Sequence, residues 1–216
     1  MNAKPILLSG SMVRALLAGN KTQTRRVIKN HPLIDGGFTD DYIKLPENNV
    51  ATDCKYGNPG DYLWVRETWC PVDDSDYDGG EWVDYRATPK YESSHPAGWD
   101  NEPGSPDALK WRPSIHMPRS ASRLTLCITD IRVERLQEIS EEDAKAEGAS
   151  FHDGHGVGHS GWRIDFGGVY VNPRTAFAGL WISIYGAESW QENPWVWVIK
   201  FTVIKQNIDN VLREVA

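Results

Sequence analysis

The chain has 216 residues, 40% of them hydrophobic and 25% charged, and a formal net charge of −7. That balance is globular and long enough for one large domain or two small ones, and no apolar run approaches the ~20 residues of a membrane span. The acidity argues against a protein that grips long duplex DNA nonspecifically, because that term needs many Lys and Arg on phosphates.

The charge is unevenly placed. Residues 1–34 carry Lys4, Arg14, Lys21, Arg25, Arg26 and Lys29, and the first acid is Asp35. A basic face on an acidic body suits a small anionic or single-stranded ligand, whereas Lys4 and Lys29 read as solvated surface charges. Cys54, Cys70 and Cys127 are odd in number and form no CxxC pair. Neither a zinc ribbon nor a disulfide framework is expected, and a reducing cytoplasm is the expected compartment. Ten Trp is high for this length; most belong in the core, and some can wall a site where unstacked bases lie.

In chain order, residues 4–9 read as a short buried strand rather than a signal-peptide core, because Ser9, Gly10 and Ser11 interrupt the apolar run. Ser11 is placed to cap a helix to about Leu17, with Val13, Leu16 and Leu17 at helical spacing. Gly19-Asn20 stops it, and Thr22–Ile28 reads as a strand. Residues 30–60 read as loop, ending in the Asn58-Pro59-Gly60-Asp61 turn that launches a strand at Tyr62–Glu67. Residues 70–118 read as mostly irregular, with one strand at Glu81–Ala87; a connection that long is usually functional. Arg123–Leu136 is a long strand with Leu124, Leu126 and Ile128 on one face. Ser140 caps a helix through Glu147, with three acids in its first turn. Residues 151–172 are a Gly/His-rich loop. Thr175–Tyr185 is a helix with Phe177, Leu180, Trp181 and Ile184 on one face, and Trp195–Ile204 is an almost wholly apolar, central strand. This order does not suggest a βαβ parallel sheet. The expectation is a single α+β domain over 1–216, built on a small, mixed, partly closed β-barrel with flanking helices and the long irregular insertion.

The octet Gly19-Asn20-Lys21-Thr22-Gln23-Thr24-Arg25-Arg26 lies where a helix turns into a strand. In a regular strand Thr22, Thr24 and Arg26 face one way, so Lys21 and Thr24 share a pocket only if Lys21 still lies in the turn. A Lys beside a Thr hydroxyl acts as its base when burial lowers the Lys pKa. By spacing alone the octet equally reads as the polar edge of a surface hairpin. Glu147 ends its helix where the macrodipole works against a negative charge, a setting that suits a general acid, or else a merely solvated carboxylate.

Gly19-x-Lys21-x-x-Thr24-x-Arg26 resembles the signature of ASCH domains, members of the PUA-like superfamily of RNA-associated β-barrels. The usual pattern has Glu where this chain has Thr24. The small bacterial ASCH amidohydrolases that act on N4-acetylcytidine also carry Lys-x-x-Thr-x-Arg, with a later Glu in a helix of the form Leu-Thr-x-x-x-Ala-x-x-Glu. Ile139-Ser140-Glu141-Glu142-Asp143-Ala144-Lys145-Ala146-Glu147 aligns with that helix without a gap. The resemblance covers roughly residues 5–30, 57–69, 122–148 and 195–204. The chain is also similar to longer prophage-encoded ASCH-type proteins, which share Pro59-Gly60-Asp61-x-Leu63-Trp64-Val65-Arg66-Glu67-Thr68-Trp69 and Trp111-Arg112-Pro113-Ser114-Ile115-His116-Met117-Pro118.

What the resemblance implies is hydrolysis of an N-acyl group on a pyrimidine. Thr24 would be the nucleophile, Lys21 its activator and Glu147 the proton shuttle, with Arg26 anchoring the base or orienting Glu147, and with no metal or cofactor. Trp64, Arg66, Glu67 and Trp69, together with Trp111, Arg112, Ser114, His116 and Arg119, would build a pocket wall and a phosphate contact, unless alternate residues are simply core; Glu67 is an alternative acid. The expected partner is a modified nucleoside or single-stranded RNA, with no membrane. The alternative is a non-catalytic RNA or modified-base binding module of phage origin. His152, His155 and His159 with Asp153 form the one metal-like cluster, but a Gly-rich loop is a poor preorganised site, and a mobile lid is the preferred reading.

Overall fold

The computed structural model describes residues 2–45, 48, 50–74, 80–90, 110–154, 159–164 and 168–215. Five strands form the main sheet: β1 (Ala3–Leu7), β2 (Gln23–Val27), β3 (Tyr62–Arg66), β6 (Thr125–Arg135) and β9 (Trp195–Ile204). Their spatial order is β1-β3-β6-β9-β2, with β1 and β3 parallel and the other pairs antiparallel. Two hairpins stand outside it: β4 (Trp69–Asp74) with β5 (Gly80–Tyr85), and β7 (Ser150–His152) with β8 (Gly161–Arg163).

The α+β class and the mixed sheet agree with the sequence pattern. The partly closed barrel is not seen. Among the described residues β1 pairs only with β3 and β2 only with β9, so the sheet keeps two edges. Those edges are linked by a side chain instead: the Arg26 guanidinium donates to the Leu7 carbonyl at 2.9 Å.

β9 explains the packing. Trp195, Trp197, Ile199 and Phe201 belong to one buried cluster with Val13 and Leu16 of α1 (Gly10–Leu17) and with Leu124, Leu126 and Ile128. Val196 and Val198 point into a second cluster with Ala144 of α4 (Glu141–Ala146) and Phe177 and Trp181 of α5 (Pro173–Tyr185). A strand covered on both faces needs apolar residues at both parities, which is why its sequence lacks alternation. α7 (Ile208–Glu214) covers the remaining part of the sheet with Ile208 and Val211 against Tyr62 and Trp64.

Several boundaries differ from the sequence reading. Ser9, not Ser11, caps α1, its hydroxyl accepting from the Met12 amide. Residues 30–60 are not all loop: α2 (Pro32–Asp35) and α3 (Asp40–Lys44) lie there, capped by His31 and Thr39, and Ile43 is buried. The insertion is built on the β4–β5 hairpin, which buries Trp69 against Met117 and Ala121; residues 75–79 and 91–109 of it lie outside the described residues. The Gly/His-rich loop is partly the β7–β8 hairpin, and α6 (Ala187–Gln191) follows α5. Among the described residues, no helix is long and apolar enough to cross a membrane.

Candidate functional site

The corner between α1 and β2 is built by its backbone. The amides of Asn20 and Lys21 both donate to the Ala15 carbonyl, closing α1, while the Thr22 amide donates to Ala146 at the end of α4. Lys21 pairs with Glu147 as an isolated antiparallel bridge, ahead of the first residue of β2. It therefore lies in the turn and not in the strand. On the other side, Ser140 caps α4 by accepting from the Asp143 amide at 3.0 Å, and Glu147 is the C-cap. Gly148 follows with φ of 113°, and a Cβ there would sit 3.1 Å from the Ala15 Cβ. A glycine thus lets the end of α4 press onto α1 in a conformation L-residues rarely adopt.

This joint holds a buried charge network. The Lys21 amine, fully shielded from solvent, donates to Glu147 Oε2 at 2.6 Å and to the Glu147 carbonyl at 3.0 Å. Arg25, whose side chain is also fully buried, donates from Nη1 to Glu147 Oε1 at 3.3 Å and from Nη2 to Glu134 and Asp143 at 3.0 Å each. Arg132 joins from β6, bonding Glu134 and reaching Asp143 at 2.6 Å. Three cations (Lys21, Arg25, Arg132) thus face three carboxylates (Glu134, Asp143, Glu147), which is how charges this deep can be tolerated. Burial lowers the Lys21 pKa below 10.5, the Glu147 charge only partly offsetting it. Burial works against ionisation of Asp143, but the guanidiniums of Arg132 and Arg25 outweigh it and hold its pKa below 3.8.

Beside the network is a cavity of about 10 Å³, room for roughly one water. Thr24, Arg25, Arg26 and Glu147 line it from one side, and Phe177, Trp181 and Tyr185 of α5 from the other. Thr24 is buried, and its Oγ1 has no hydrogen-bond partner; among the described residues it is the one buried hydroxyl so placed. Lys21 does not line the cavity itself but touches Glu147, which does. The arrangement offers a hydroxyl without a partner, a carboxylate, and, behind that carboxylate, an amine whose pKa is lowered by burial.

Of the two roles expected for Arg26, anchoring the base or orienting Glu147, the contact for the second is made by Arg25. Arg26 instead bonds the main-chain carbonyls of Leu7 and Arg25, while still lining the cavity. Arg25 was missed because an arginine in a strand of an acidic protein reads as a surface charge. Its burial depends on carboxylates 109 to 122 positions away.

The remaining candidates lie elsewhere: none of Trp64, Arg66, Glu67, Trp69 and His116 lines the cavity. Trp64 packs against α7, with the Arg66 guanidinium 5.2 Å from its ring. Arg66 also donates to the carbonyls of Met117 and Ile115, pinning the 3-10 turn that carries the exposed His116. Trp69 is core to the β4–β5 hairpin, under the Arg112 guanidinium. Glu67 is buried and held by Arg123 through two bonds of 2.9 Å; burial raises its pKa above 4.5 even so. Of the histidine cluster, His155 lies outside the described residues, and among those described no three His, Cys, Asp or Glu side chains group as a metal site would.

Comparison with protein-family models, curated proteins and solved structures finds no match to this chain.

Proposed function

We propose that the chain is an ASCH-type protein of the PUA-like superfamily, and that it hydrolyses an N-acyl group from a modified pyrimidine such as N4-acetylcytidine. The observation that carries the reading is the contact between the buried Lys21 amine and Glu147, next to a cavity where the Thr24 hydroxyl has no partner.

In this mechanism Thr24 Oγ1 attacks the acyl carbonyl carbon while its proton passes to the Lys21–Glu147 pair, whose Glu147 member lines the cavity. The carbon–nitrogen bond then breaks, and the proton is relayed through Glu147 to the departing exocyclic amine. Water attacks the Thr24 ester, releasing the carboxylic acid and restoring the hydroxyl, so amide and water become amine and acid. Arg25 holds the other oxygen of the Glu147 carboxylate, Oε1, at 3.3 Å. A cavity of about 10 Å³ cannot hold a base, so the α5 wall of Phe177, Trp181 and Tyr185 has to move to admit one.

A second reading, a module that holds RNA or a modified base without turnover, draws on the same network: Lys21 already gives two of its donors to Glu147. Free thiols at Cys54, Cys70 and Cys127 support placing the protein in a reducing cytoplasm. The deciding experiment incubates the protein with N4-acetylcytidine and other acylated cytidines, read by chromatography, beside Lys21→Ala and Glu147→Gln. Release of the amine by wild type alone supports hydrolysis; binding without release supports the second reading.

A further inference from the structure

Arg26 and Tyr185 line the Thr24–Glu147 cavity and also a larger, open cleft of about 520 Å³. The two spaces therefore abut at those side chains. The cleft has an ordinary ligand volume, and its lining is polarised. Its cations are Arg26 in β2, Lys29 just past β2, and Lys55 from the turn ahead of β3; its carboxylates are Glu188 and Glu192, in α6 and at its end. The Arg26 guanidinium bonds only main-chain carbonyls, so no described carboxylate neutralises it. Lys29 and Lys55 are exposed, and neither forms an ion pair with a described residue. Tyr185 stands at the junction, its ring centroid 4.6 Å from that of Trp181.

Each part matches one portion of a phosphorylated nucleoside. A phosphate dianion requires converging cations. A ribose diol donates hydrogen bonds, which carboxylates accept. A base favours an aromatic, water-poor recess such as the one walled by Phe177, Trp181 and Tyr185. We infer that this cleft is the ribose-phosphate subsite of a 5′-mononucleotide whose base enters the Thr24–Glu147 cavity. The inference rests on the proposed reading of that cavity as the base site. It makes the substrate an N-acylated pyrimidine nucleotide, and it gives Lys29 a ligand-binding role in place of a merely solvated charge.

The test is calorimetric binding of cytidine and of cytidine 5′-monophosphate to wild type and to a Lys29→Ala/Lys55→Ala variant, at low and high salt. Both positions are exposed, so the variant keeps its fold. The nucleotide is expected to bind wild type about tenfold or more tighter than cytidine, with that margin shrinking at high salt and largely lost in the variant. Equal affinities in wild type, or a margin that survives in the variant, overturn the subsite. A short single-stranded RNA binding far tighter than the mononucleotide overturns the assignment to a mononucleotide. Hydrolysis of N4-acetylcytidine is followed separately. Turnover without the margin overturns the subsite alone, and the margin without turnover overturns the reaction while the subsite stands.

Discussion

Replacing Thr24 by Val removes a hydroxyl that makes no hydrogen bond and keeps the side-chain shape. Thr24 is 1% exposed, and its Oγ1 is buried without a partner. A buried, unpaired hydroxyl costs about 1–3 kcal/mol, and Val suits a strand at least as well as Thr does. Thr24→Val should therefore stabilise the protein by that amount, which at ~3 °C per kcal/mol for a chain of this size raises Tm by roughly 3–9 °C. Thermal denaturation followed by circular dichroism measures it. A fall in Tm would refute the reasoning, because it would mean that the hydroxyl is satisfied in solution and contributes to the fold. A hydroxyl kept at a cost to stability is what a reactive group looks like.

Further outcomes follow from the charged side chains. Lys21→Met leaves Glu147 with only Arg25 at 3.3 Å and should cost about 3–5 kcal/mol, measured by urea denaturation. The Lys21 pKa is lowered in the folded state. Between that value and 10.5 the unfolded chain holds the extra proton, so this group makes stability rise with pH across the window, against the opposite contributions of buried Cys54 and Cys70 and half-buried Tyr85. The difference between wild type and Lys21→Met should carry that rising slope. The same group should give kcat/KM an acid limb with its midpoint below 10.5, and Lys21→Arg should lose turnover because a guanidinium does not deprotonate. Arg25→Lys should lower Tm clearly, since a point charge cannot reach Glu134, Asp143 and Glu147 together, whereas Arg26→Lys should leave Tm nearly unchanged. Arg123→Ala leaves Glu67 buried and unpaired and should cost about 3–5 kcal/mol by denaturant titration, without raising KM, because neither side chain lines the cavity.

The elements that were legible carry their own local signal. Ser140 with three following acids marks the start of α4, and the alternation of Leu124, Leu126 and Ile128 marks β6. What was not legible is set by distant partners. β4 contains Pro71 and two acids, and forms because Trp69–Asp74 finds β5. α7 is a short run of mixed polarity whose Ile208 and Val211 are defined as a face only by Tyr62 and Trp64. In the site, the Lys21–Glu147 contact was implied by the family resemblance alone, because by spacing Lys21 reads equally as a surface hairpin edge and Glu147 as a solvated carboxylate. The exchange of Arg26 for Arg25 could not be anticipated, because it depends on which side of β2 meets the carboxylates of β6 and α4. Trp64 and Trp69 read as site walls because an aromatic that packs on a helix and one that stacks on a base look alike in sequence.

The most direct measurement compares the turnover of N4-acetylcytidine by wild type and Thr24→Val, with both proteins shown to be folded at the assay temperature. Cytidine and acetate should appear with wild type and not with the variant. Equal turnover by the two proteins, or none by wild type, would contradict the assignment of Thr24 as the nucleophile.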